Sequence, residues 1–72
     1  MTKTEIIKNK THVEYSANGF DYLFVQEADG WWSIYCYHNF AQTWNPLLQS
    51  KDLEHCKTYA IMREPTGNWN KL

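Results

Sequence analysis

The chain has 72 residues, with 7 Lys and Arg against 8 Asp and Glu for a formal net charge of −1, and 17% of its residues are aromatic. That length supports one domain with a modest core, and the aromatic content offsets the small size because each large ring removes about 150–250 Å² from water. The even charge balance argues against a general nucleic-acid binder, whose affinity rests on cationic contacts to phosphate, and no apolar run approaches the ~18 residues of a membrane span.

The opening residues, Met1 to Ile7, lack the apolar core and small-residue cleavage site of a secretory signal. With only Cys36 and Cys56 as thiols, a reducing cytoplasm is the expected compartment. Residues 1–10 are polar apart from Ile6 and Ile7. They are expected to add an edge strand or to form a tail pinned by the two isoleucines, with Lys3, Lys8 and Lys10 guarding an exposed sheet edge. A basic arm for phosphate is weakened by Glu5 among these lysines.

Residues 11–39 read as a three-stranded antiparallel meander around which the rest is organised. Asn18-Gly19 and Asp29-Gly30 mark its corners, because Asn, Asp and Gly accept the positive φ of a type I′ turn at least cost. The flanking runs, residues 11–17, 20–28 and 31–38, are rich in β-branched and aromatic side chains. With two-residue turns at both corners, the pairing follows by counting outward. Ala17 then faces Phe20, Tyr15 faces Tyr22 and Val13 faces Phe24. Across the second corner Ala28 faces Trp31, Val25 faces Ile34, Phe24 faces Tyr35, Leu23 faces Cys36 and Tyr22 faces Tyr37.

Side chains alternate between the faces of a strand. One face would therefore carry Val13, Tyr15, Phe20, Tyr22, Phe24, Trp31, Tyr35 and Tyr37, with Tyr15, Tyr22 and Tyr37 in a row across the meander. The other would carry an aliphatic patch of Leu23, Val25, Ile34 and Cys36, with Trp32 at one end and His12, Glu14, Asp21, Glu27 and His38 around it.

Pro46 opposes a regular central strand, so residues 40–50 are expected to form a loop across the end of the sheet, with Phe40, Trp44 and Leu47 or Leu48 tucked beneath it. Ser50 is placed to cap a helix over residues 51–64. Asp52 and Glu54 occupy its first turn, Leu53, Cys56 and Ala60 recur at helical spacing, Arg63 lies in the last turn and Pro65 ends it. The small Cys56 and Ala60 suit close approach to the flat aliphatic patch, which would leave the aromatic face uncovered. The reverse, with the aromatic face as the core, stays open on pattern alone. Residues 65–72 turn back with Trp69 over a core edge; a hairpin of residues 58–64 and 68–72 is the alternative. The expected class is α+β: a three-stranded antiparallel meander, four-stranded if residues 1–10 join it, with one C-terminal helix on one face.

Cys36, His38, His55 and Cys56 are of zinc-ligand type, yet His55 and Cys56 point about 100° apart on a helix and neither pair has zinc-finger spacing. Buried free thiols are expected instead, a Cys36–Cys56 bridge being disfavoured in a reducing compartment. Glycine stands only at Gly19, Gly30 and Gly67, so no phosphate-cradling loop is present. Nothing in the sequence sets His12, His38 or His55 beside a nucleophile and an orienting group. No catalytic residue, cofactor or metal is therefore assigned, and the chain is not expected to be an enzyme.

The aromatic face remains. Protein interfaces are enriched in Tyr, Trp and Phe with few central charges, which makes Tyr15, Tyr22, Trp31, Tyr35 and Tyr37 the expected partner-binding residues. The chain then reads as a small non-enzymatic interaction module acting on a protein partner or a second copy of itself. Single-stranded nucleic-acid binding by base stacking on the same face is the alternative. In size and composition the chain resembles the inhibitors and modulators encoded by phages and mobile elements, which implies a stoichiometric rather than catalytic action.

Overall fold

The computed structural model describes the chain except for Met1, Asn18, Asn39, Ala41 and Leu72, and describes His38, Asn70 and Lys71 by their backbone. Among the described residues the elements are α1 (Lys3–Ile7), β1 (His12–Ala17), β2 (Phe20–Gln26), β3 (Trp32–His38), β4 (Trp44–Ser50), α2 (Leu53–Arg63) and β5 (Asn68–Lys71). The strands form one antiparallel five-stranded sheet in the order β4-β3-β2-β1-β5. The α+β class with a C-terminal helix holds, and the sheet is wider than the meander because a strand joins each edge.

The first corner pairs as counted, with Ala17 opposite Phe20, Tyr15 opposite Tyr22 and Val13 opposite Phe24. Asn18 of this turn lies outside the described residues, and Gly19 has φ +84°. The second corner differs. Glu27 N–H donates to the Trp31 carbonyl at 2.7 Å, and Gly30 N–H donates to the Glu27 carbonyl at 3.0 Å. Ala28, Asp29 and Gly30 thus form the loop, a β-turn completed by a glycine at φ +89°, as three-residue hairpin loops commonly are. Asp29 Oδ1 accepts the Trp31 N–H at 3.0 Å and steadies the corner.

That one extra loop residue slides β3 by one position. Phe24 faces Ile34, Leu23 faces Tyr35, Tyr22 faces Cys36 and Asp21 faces Tyr37. Because the side-chain period is two, the slip carries every side chain of β3 to the opposite face from the one expected. The tyrosine row across three strands is not formed. Tyr35 and Tyr37 part from Tyr15 and Tyr22, while Ile34 and Cys36 part from Leu23 and Val25.

α2 covers the face that bears Tyr15, Tyr22, Phe24 and Ile34, each at most 1% exposed, and its Cys56 and Ala60 are wholly buried there. This corrects the expected placement over an aliphatic patch. The small helix residues are matched to large sheet residues, whose rings fill the space that Cys56 and Ala60 leave. The Tyr15 hydroxyl donates to the Glu64 carbonyl at the end of α2. Trp69 stacks on Tyr15 with ring centroids 4.3 Å apart and meets Phe24 edge-on at 5.4 Å.

On the opposite face Leu23 and Val25 are fully buried beneath Ile6 of α1, with Ile7, Tyr35 and Trp44 packed alongside. α1 replaces the expected edge strand or tail for a local reason. Thr2 and Glu5 make a reciprocal capping box, Glu5 N–H donating to Thr2 Oγ1 at 3.2 Å and Thr2 N–H to Glu5 Oε1 at 2.9 Å. Lys3 pairs with Glu14 at 2.8 Å and Lys10 with Glu27 at 2.6 Å, so these lysines tie the N-terminal segment to the sheet rather than guard its edge.

The segment expected as a loop contains β4. Pro46 is accommodated because β4 is an edge strand and carries a bulge there. Ile34 pairs with Leu48 and Tyr35 with Pro46, leaving Leu47 as the extra residue. Phe40 is 92% exposed, not tucked beneath the chain. α2 is capped by Asp52, which accepts the Glu54 N–H at 3.0 Å, whereas Ser50 Oγ accepts the Asp52 N–H at 3.1 Å just before it. After the helix, β5 pairs with β1, placing Trp69 opposite Tyr15, so residues 68–71 do not hairpin with residues 58–64.

Among the described residues the Tyr22 hydroxyl is buried and makes no hydrogen bond of good geometry, with Cys36 and Arg63 as its polar neighbours. An orphaned buried hydroxyl costs about 1–3 kcal/mol, whereas a satisfied one contributes about 0.5–1.5 kcal/mol. Tyr22→Phe should therefore raise stability in urea unfolding by about 1 kcal/mol, and Tyr15→Phe should lower it by a similar amount. Equal losses for the two variants would contradict the assignment.

Candidate functional site

The groups with potential for chemistry fall into the core beneath α2, the opposite sheet face and the outer side of α2. Cys36 on β3 and Cys56 on α2 are buried free thiols, and burial pushes both above the ordinary thiol range. His12 is 6% exposed, with Nε2 lying 3.3 Å from Glu14 Oε2. His55 stands on the exposed side of α2 with Nδ1 3.2 Å from Ser50 Oγ. The His38 side chain lies outside the described residues. Among the described residues no group of three or more His, Cys, Asp or Glu is arranged to hold a metal ion.

The five aromatic residues expected to form one surface are divided. Tyr15 and Tyr22 are each 1% exposed in the core under α2. Trp31 stands at the second corner, 36% exposed, with the Lys51 ammonium 5.3 Å from its ring centroid. Tyr35 and Tyr37 project from β3 on the face that carries α1, and both are half-buried. Trp44 of β4 joins them, its ring centroid 5.2 Å from that of Tyr37. Sequence reasoning missed Trp44 because Pro46 hid the strand. The available signal was that an edge strand tolerates proline at a bulge.

Cross-strand register places these rings in a wider pattern. Ser16 faces Asp21, Asp21 faces Tyr37 and Tyr37 faces Trp44, which makes a single row across β1, β2, β3 and β4. The adjacent row on the same face runs Glu14, Leu23, Tyr35 and Pro46. α1 cannot cover both ends. Its 5 residues span about 7.5 Å, while five strands at about 4.8 Å spacing spread over about 19 Å. Its Ile6 packs on Leu23 and Val25, and Tyr35 and Trp44 lie against that cluster while staying partly exposed.

A cleft of about 280 Å³ lies beside α1, lined by Lys3, Glu14, Ser16, Asp21, Tyr22, Tyr37 and Trp44. Another of about 280 Å³ follows the outer strands, lined by Ser33, Tyr35, Pro46, Leu47, Leu48 and Gln49. Beside this second cleft the polar groups are mutually engaged. Ser33 Oγ donates to Glu27 Oε2 at 2.8 Å and accepts Gln49 Nε2 at 3.0 Å.

In the first cleft the Lys3 hydrogen bond is the main reason Glu14 sits below its ordinary carboxylate range, and His12 adds to it. Asp21 Oδ1 accepts the Ser16 hydroxyl at 2.8 Å. Two carboxylates thus face one ammonium, and the cleft as a whole is negative at one end and aromatic at the other. No protein-family model matches this chain, and comparisons with curated proteins and with solved structures find no match for it either.

Proposed function

We propose that the protein is a small non-catalytic interaction module that binds a protein partner through Tyr35, Tyr37 and Trp44, on the sheet face that carries α1. One observation carries this reading: Tyr37 on β3 and Trp44 on the edge strand β4 pack ring to ring, and both stay partly exposed. Half-buried aromatic rings that need little further ordering are the usual anchors of protein interfaces. A stoichiometric modulator needs no more than such an anchor and a scaffold to hold it. Trp31 stands apart at the hairpin corner and is not part of this strip.

The neighbours of the strip favour protein over nucleic acid. Asp21 and Glu14 line the same cleft, and Lys3, which lines it too, is already paired with Glu14. Carboxylates beside the rings repel phosphate, which a single-stranded nucleic-acid site must instead attract.

Affinity capture from a lysate of the source cells tests the reading, with the wild-type chain compared against a Tyr37→Ala/Trp44→Ala variant whose fold is verified by circular dichroism. Wild type should retain a partner that the variant loses by about tenfold or more, the effect of removing an interface anchor. Capture of the same proteins in equal amounts would refute it. So would a wild type that takes up no protein but binds oligonucleotides in low salt. Sedimentation of the isolated chain shows whether the partner is a second copy.

A further inference from the structure

We infer that the cleft over the Ser16–Asp21–Tyr37–Trp44 row receives an arginine side chain of the protein partner, an inference that rests on the interaction function proposed above and names the chemistry of its contact. The row sets a carboxylate one strand away from a phenol ring and two strands away from an indole. Neighbouring side chains across an antiparallel pair start about 4.5–5.5 Å apart. A guanidinium lying on the Tyr37 ring, within about 6 Å of its centroid, is therefore within reach of the Asp21 carboxylate.

Charge points the same way. Glu14 is engaged by Lys3 and His12, whereas Asp21 accepts the Ser16 hydroxyl. A carboxylate offers about four acceptor positions, so Asp21 retains capacity for a bidentate donor. Three other rings of the chain carry a cation. Lys51 lies over Trp31, Lys57 over Trp69 and Arg63 over Tyr59. Among the described residues, no cation of the chain lies over Tyr37 or Trp44, the ring pair that shares a cleft with two carboxylates.

Size and shape select the group. A cleft of about 280 Å³ sits at the lower end of small-molecule pockets, and suits one side chain rather than a cofactor. Arginine fits better than lysine because its planar, weakly hydrated guanidinium stacks on a ring while donating two parallel bonds to a carboxylate.

The test uses the full chain, isotopically labelled, titrated with acetyl-Gly-Arg-Gly-amide and followed by NMR at the Trp44 indole N–H and at the backbone of Asp21 and Tyr37. The same peptide with citrulline, which keeps the shape and loses the charge, serves as control and requires no variant. Saturable shifts at these positions are expected with arginine, and about tenfold weaker binding with citrulline or in Asp21→Asn, since both remove the charge-assisted contact. Equal binding of the arginine and citrulline peptides would overturn the inference, as would shifts confined to Trp31 and Trp69, or none up to the solubility limit. If a captured partner depends on Tyr37 and Trp44 but not on Asp21, the arginine contact falls while the interaction module stands. If capture ignores the rings altogether, the module itself falls.

Discussion

Phe24→Ala should cost about 3–5 kcal/mol, the usual loss for emptying a fully buried aromatic site. Phe24 lies on the central strand, is wholly buried, and faces Val13 on one side and Ile34 on the other. Trp69 meets it edge-on while also packing on Tyr15, so the cavity would open beneath a ring that helps hold β5 to the core. At about 0.05–0.15 kcal/mol per residue, a chain of 72 residues holds about 4–11 kcal/mol in total. The variant should therefore be largely unfolded or melt far below the wild type. Urea unfolding followed by tryptophan fluorescence reads this, with the 92%-exposed Phe40 giving the matched control. Phe40→Ala should change stability by no more than about 0.5 kcal/mol. A loss at Phe24 below about 1 kcal/mol would mean that the core is not where the register places it.

Gly67→Ala should be the most damaging glycine substitution, and for reasons of space. A Cβ at Gly67 would fall 2.6 Å from Tyr15 Cζ, 2.7 Å from the Ser16 carbonyl oxygen and 2.8 Å from Ala17 Cβ. None of these can yield cheaply. The Tyr15 ring is 1% exposed and bonded through its hydroxyl to Glu64, and the Ser16 carbonyl belongs to a strand paired on both sides. Relief would require β5 to back away from β1, taking Trp69 off Tyr15. Overpacking of this kind costs about 1–3 kcal/mol and sometimes more. The expected result is a destabilised protein with a weakened near-ultraviolet dichroism signal from Trp69 and more rapid hydrogen exchange in β5. A variant as stable as the wild type, with β5 still protected, would show that the return of the chain after α2 is looser than described. Gly30, by contrast, is needed for its backbone angle: at φ +89° it has open space where a side chain would stand.

The candidate site was half legible before the fold was known. Tyr35 and Tyr37 stood out as rings on a strand, and both are half-buried on the face that carries α1. Tyr15 and Tyr22 were grouped with them only because a two-residue second corner was assumed. Asp29-Gly30 cannot settle that point locally, since its glycine supplies the positive φ that either a two-residue or a three-residue loop requires. The choice is made by packing at a distance, where Ile34 and Cys36 join Tyr22 and Phe24 beneath α2. A slip of one residue there decides which rings are core and which are surface.

Taken alone, the sequence determined what short-range physics controls: the first hairpin and its register, the existence of α2 with its acidic start and proline stop, and the small side chains that α2 turns inward. α1 was also written locally, in the Thr2–Glu5 capping box, although its two isoleucines disguised it as strand. Only the tertiary structure decided the face that α2 covers, the two added edge strands and the meeting of Trp44 with Tyr37. The reason is that an edge is defined by the order of strands in the sheet. Pro46 is acceptable at an edge bulge and nowhere further in, and β5 is too short to form except against a strand already in place.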